Sequence, residues 1–176
     1  MLKSSSKSVQ FSKETLEKIE QLLTHYPPEH SKSALIPVLH MAQAELGGWL
    51  CPEVMDYVAD ILVLQPIEVY EVASFYTMFY LSPMGKVVLE VCRTGPCALR
   101  GSEDILTYIE SRLGIKEGET TADGVFSVRT VECLASCGTA PMMQVADKYY
   151  ENLDEATVDR LIGELREAAK AGYLRV

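Results

Sequence analysis

Through the first 80 residues the apolar positions recur at three and four, the spacing of helices with one buried face. Leu16, Ile19, Leu22 and Leu23 share such a face, which predicts a helix from about Lys13 to Thr24. Ser12 fits its N-cap, Phe11 and Leu16 stand at hydrophobic-staple positions, and Pro27-Pro28 stop it. A second helix is expected from about Ser33 to Leu46, burying Leu35, Val38, Leu39, Ala42 and Leu46. Pro37 is tolerated there only in the first turn or at a kink, and Gly47-Gly48 end the pattern. Pro52 and Pro66 each open a further helix, since proline suits the first helical position. Their inner stripes are Met55, Val58, Ala59, Leu62 and Val69, Val72, Ala73, Tyr76. Cys51 then takes an N-cap position where Ser or Asp is preferred. The fourth pattern continues into Phe75-Tyr76-Thr77-Met78-Phe79-Tyr80, apolar on more than one face, as in a buried helix or a docking surface.

From Lys86 the periodicity changes. Lys86 to Val91 reads as a strand. Leu99, Ser102, Leu106, Ile109 and Leu113 define a helix that starts near Gly95-Pro96-Cys97 and ends at Gly114. A polar loop, Ile115 to Gly124, leads to a second strand, Val125 to Val131. Met142 to Val145 and Tyr149-Tyr150 suit a hairpin, and Asp154 caps a last helix carrying Val158, Leu161, Ile162 and Leu165. Strand, helix, strand, hairpin, helix is a truncated thioredoxin-like arrangement. The chain is therefore expected to be α+β, with a tail at 1–11, a helical domain at 12–81, and a thioredoxin-like domain of four strands and two helices at 82–176. Pro141 precedes the third strand, which makes Ala140–Pro141 a candidate cis peptide.

Two cysteine pairs fall at the expected strand ends. Cys92 and Cys97 are spaced C-x4-C, and Cys133 and Cys137 are spaced C-x3-C. Four thiolates suit zinc or iron, and spacing alone leaves both open, beside a pair of disulfides or a redox dithiol. Three features favour iron–sulfur. A C-x4-C pair is an element of two-iron ferredoxins. Gly95, Gly101 and Gly138 let backbone N–H groups approach bridging sulfides. The helix start at Gly95-Pro96-Cys97, with Arg93 and Arg100 nearby, would offset the cluster's negative charge. His25, His30 and His40 lie outside this region and are not read as ligands, and Cys51 is a spare thiol.

Composition narrows the partners. The 176 residues carry Lys+Arg 16 against Asp+Glu 25, a net charge of −9, and no basic stretch, which argues against nucleic acid. No apolar run nears the roughly 20 residues that span a bilayer, and the N-terminus lacks the apolar core of a secretory signal. A cytoplasmic protein is expected, where thiols stay reduced and five cysteines indicate metal or redox chemistry. No glycine-rich dinucleotide motif, P-loop or hydrolytic constellation accompanies them, so a redox centre here must exchange electrons with another protein.

The stretches V-A-S-F-Y-T-M-F (72–79), V-C-R-T-G-P-C-A-L-R-G (91–101) and E-C-L-A-S-C-G-T-A-P (132–141) resemble the thioredoxin-like two-iron ferredoxin of complex I, the E subunit of NADH:quinone oxidoreductases. The similarity runs from about Phe11 to Leu165. The resemblance implies one [2Fe–2S] cluster on Cys92, Cys97, Cys133 and Cys137, with FMN and NADH only on a partner subunit. It implies a peripheral-arm subunit at the inner face of the cell membrane that exchanges single electrons with the partner's flavin, off the main electron chain. It also implies that the chain has no substrate-turnover site of its own. The equivalent subunit of an NAD-linked hydrogenase or formate dehydrogenase is the alternative, and a zinc-stabilised docking module is the alternative of another class.

Overall fold

The computed structural model describes residues 9–172, so most of the expected tail, 1–8, and the last four residues lie outside the described residues. Its contacts divide the chain after Pro83 into two compact units.

The first unit holds four helices, α1 (Lys13–Leu23), α2 (Leu35–Glu45), α3 (Pro52–Leu62) and α4 (Pro66–Phe75), with a 3-10 segment at Pro28–Ala34. Ser12 caps α1 by accepting from the Thr15 N–H. Phe11, placed in the tail by the sequence, is buried, and its ring packs on Tyr57 with centroids 5.4 Å apart. The second helix begins two residues later than its apolar pattern, which leaves Pro37 in the first turn. There its missing N–H breaks no intrahelical bond. The core joins Ile19, Leu35, Val38, Leu39, Val54, Val58, Leu62 and Val69.

The aromatic stretch after α4 is not helical. The helix ends at Phe75, and Tyr76 turns to an extended conformation. Buried Gln43 holds the segment from α2: its amide donates to the Met78 carbonyl (3.1 Å) and accepts from the Tyr80 N–H (2.7 Å). Phe79 is thereby turned into the core, while Phe75, Tyr76 and Met78 stay exposed. Of Phe75, Tyr76, Met78 and Phe79, Phe79 alone joins the core.

The second unit is a four-stranded sheet of order β2-β1-β3-β4, from β1 (Val87–Cys92), β2 (Phe126–Val131), β3 (Met143–Val145) and β4 (Lys148–Tyr150). Strands β1 and β2 are parallel, and the other two pairs are antiparallel. Val87, Leu89, Val91, Phe126, Val128, Met143 and Val145 join one core with side chains of α6 (Ser102–Leu113) and α7 (Glu155–Lys170). The last helix extends five residues past Leu165, with Asp154 capping it through the Thr157 N–H. The helix expected from Gly95 to Leu113 is broken: α5 spans Gly95–Leu99, and Gly101 at φ +90° separates it from α6. Only glycine adopts that angle freely. The Ala140–Pro141 peptide is cis. Among the described residues, no helix is long and apolar enough to cross a membrane.

Candidate metal centre

The sheet register brings the cysteines together. Cys92 is the last residue of β1 and lies opposite Val131, the last of β2. Because these strands are parallel, both chains leave the sheet at the same end. The β1 exit turns through Arg93-Thr94 into α5, which carries Cys97. The β2 exit runs through Glu132 to Cys133 and Cys137. The third approach is the segment after cis Pro141: the Met142 carbonyl accepts from the Cys92 N–H at 3.2 Å. Cys92 and Cys97, each 2% exposed, cluster with Ala140 and Met142, with Leu134 against them. Cys133 and Cys137 are exposed.

All five cysteines are free thiols. The sulfurs of Cys133 and Cys137 stand 3.9 Å apart. Two thiolates on one tetrahedral metal, each at about 2.3 Å, stand about 3.8 Å apart. Among the described residues no three His, Cys, Asp or Glu side chains converge as they would around a single ion. The donors are instead two neighbouring thiol pairs, the set required when each of two metals takes two thiolates.

Local hydrogen bonds make one cysteine of each pair the more acidic. Burial opposes ionisation of Cys92, but the Thr94 hydroxyl and the N–H groups of Leu134 and Thr94 outweigh it and lower its pKa. Burial, with the hydrogen bond and charge of Cys92, pushes Cys97 up to about 11, against a favourable Met142 N–H. The Ala135 N–H, 3.3 Å from the sulfur, and then the Thr94 hydroxyl lower Cys133. The hydrogen bond and charge of Cys133 raise Cys137. A metal that takes all four sulfurs displaces the thiol protons that remain, so its binding depends on pH.

The loop that bears the second pair is pinned by the residues that follow β4. The Glu151 carboxylate accepts from the hydroxyls of Ser136 and Thr139, the latter at 2.5 Å. The Asn152 and Leu153 N–H groups donate to the carbonyls of Thr139 and Pro141 at 2.7 and 2.9 Å. Sequence reasoning missed both Glu151 and Thr94. Glu151 had no signal, because it meets the loop only through the fold, whereas Thr94 could have been singled out as the N-cap residue two positions after a cysteine.

Some expected contributions differ. Arg93 does not present a free charge, since its guanidinium is 3.0 Å from Glu132, beside Cys133. A Cβ on Gly95 or Gly138 would meet open space, so protein packing does not require glycine at either. Gly101 serves the α5–α6 break instead. Cys51 belongs to the helical unit, partly buried against its core.

Two thiol pairs at the shared end of parallel strands, on a thioredoxin-like sheet, define a redox metalloprotein of the ferredoxin class. The family model of the thioredoxin-like [2Fe-2S] ferredoxins matches residues 19–166, and the chain belongs to that family. It is similar to the E subunit of the NADH-quinone oxidoreductase of Rickettsia prowazekii, 46% identical over 152 residues, 86% of each chain. It is also 46% identical over 156 residues to the mitochondrial NADH dehydrogenase [ubiquinone] flavoprotein 2 of Dictyostelium discoideum, covering 89% of this chain and 63% of that one. An air-oxidised NAD+-reducing [NiFe]-hydrogenase shares the fold at a TM-score of 0.66 and 22% identity, over 76% of this chain and 23% of that chain.

Proposed function

We propose that the chain is the E-type component of an NADH:quinone oxidoreductase, holding one [2Fe–2S] cluster on Cys92, Cys97, Cys133 and Cys137 for electron exchange with a flavin-bearing partner. The paired-thiol geometry carries the reading: two sulfurs at 3.9 Å fit one iron, and the neighbouring pair offers the second site. When bound, such a cluster takes up and gives up one electron at a time.

The chain's own residues supply the holder. The parallel register of β1 and β2 fixes where the two thiol pairs emerge. Cys92 and Cys97 are shielded from water, and Cys133 and Cys137 lie at the surface, where electron exchange with another protein has its shortest path. Backbone N–H groups of Leu134, Ala135 and Met142 donate to sulfur and favour the added negative charge of the reduced state. The chain would sit in the peripheral arm at the inner face of the membrane. Its partners would be the flavin- and NADH-binding subunit and other peripheral-arm subunits.

Capture of the intact assembly from native membranes through a tag on this chain tests the reading. The captured complex is expected to contain FMN and to reduce quinone with NADH. A complex that couples NAD+ to hydrogen or formate would place the chain in the alternative assembly, and capture without any flavoprotein would refute both.

A further inference from the structure

Thr94 occupies the N-cap of α5, the position whose hydroxyl ordinarily accepts from the first-turn N–H groups. It makes no such bond. Its hydroxyl instead lies 3.5 Å from the sulfur of Cys92, two residues earlier. In the free protein either the thiol or the hydroxyl can donate to the other. A metal-bound thiolate has no proton, so with metal in place the hydroxyl must be the donor.

We propose that the Thr94 hydroxyl is a tuning group for the centre, raising its reduction potential by hydrogen bonding to the Cys92 sulfur. The inference rests on Cys92 being a ligand of a two-iron cluster. Reduction adds one negative charge, part of which resides on the sulfurs. A donor aimed at them favours the reduced form, and hydrogen bonds to sulfur are among the levers that set these potentials.

Redox titration followed by EPR on the purified chain decides it, comparing wild type with Thr94→Ser, Thr94→Val and Thr94→Ala. Valine keeps the shape and removes the donor, and alanine adds no bulk should valine disturb the turn. At a fixed applied potential, the reduced-to-oxidised ratio is expected to fall about tenfold in both, a shift of ~59 mV for one electron. Thr94→Ser is expected to stay near wild type. The inference is overturned if cluster-bearing Val and Ala variants keep the wild-type ratio, or if Ser shifts as far as Val. Loss of the cluster in both Val and Ala, with retention in Ser, also overturns it, since the hydroxyl would then serve assembly. A wild-type chain without a two-iron signal refutes the ligand reading itself, and this inference with it.

Discussion

Val63 closes α3 with φ +55° and is 90% exposed. The left-handed region costs an L-residue roughly 1–2 kcal/mol, and a β-branched side chain suffers most. Glycine carries no such penalty, and Val63 has almost no packing to lose. Val63→Gly should therefore stabilise the chain by about 1 kcal/mol, read as a higher urea midpoint with unchanged slope. Asp123 makes a pH prediction. Its carboxylate accepts from the Thr121 hydroxyl and the Val125 N–H and pairs with Arg166, which holds it at about 2, below its ordinary 3.8. A depressed carboxylate pKa gives stability that is full above the unfolded value and is lost as pH falls through the folded one. The midpoint gap between wild type and Asp123→Asn should be constant above about pH 5 and narrow as pH falls from there through the folded value. A gap undiminished at pH 2 would contradict this.

At the scale of elements, the signals that act within a few residues were legible in the sequence. Ser12, Pro52, Pro66 and Asp154 each start a helix where capping and proline chemistry require, and short apolar, strand-like runs mark β1 and β2. What escaped depends on distant partners or on one dihedral angle. The apolar run after Phe75 continues a helical pattern, yet Gln43, more than 30 residues earlier, draws it into an extended turn through two hydrogen bonds. Gly101 lies inside an apolar period that crosses the α5–α6 break undisturbed. Gln43→Met, similar in size, should remove the hydrogen bonds to the Met78 carbonyl and from the Tyr80 N–H and cost about 1–3 kcal/mol by urea denaturation. A loss below about 0.5 kcal/mol would show that water replaces the amide without penalty.

At the scale of the whole molecule, the four candidate ligands were legible because their spacing and strand-end positions are local. Their grouping came from the parallel register of β1 and β2, and their environment from residues that no spacing rule marks, Thr94, Glu151 and the Met142 backbone. Replacing Cys92, Cys97, Cys133 or Cys137 singly with Ala should abolish the visible absorption of the purified chain. Cys51→Ala should leave it intact, and bleaching in that variant would show the ligand set to be wrong. The most direct measurement is the iron, acid-labile sulfide and zinc content of anaerobically purified wild-type protein, with an EPR spectrum after dithionite reduction. Two irons and two sulfides per chain with a rhombic signal are expected. One zinc per chain, no sulfide and no signal would contradict the two-iron centre.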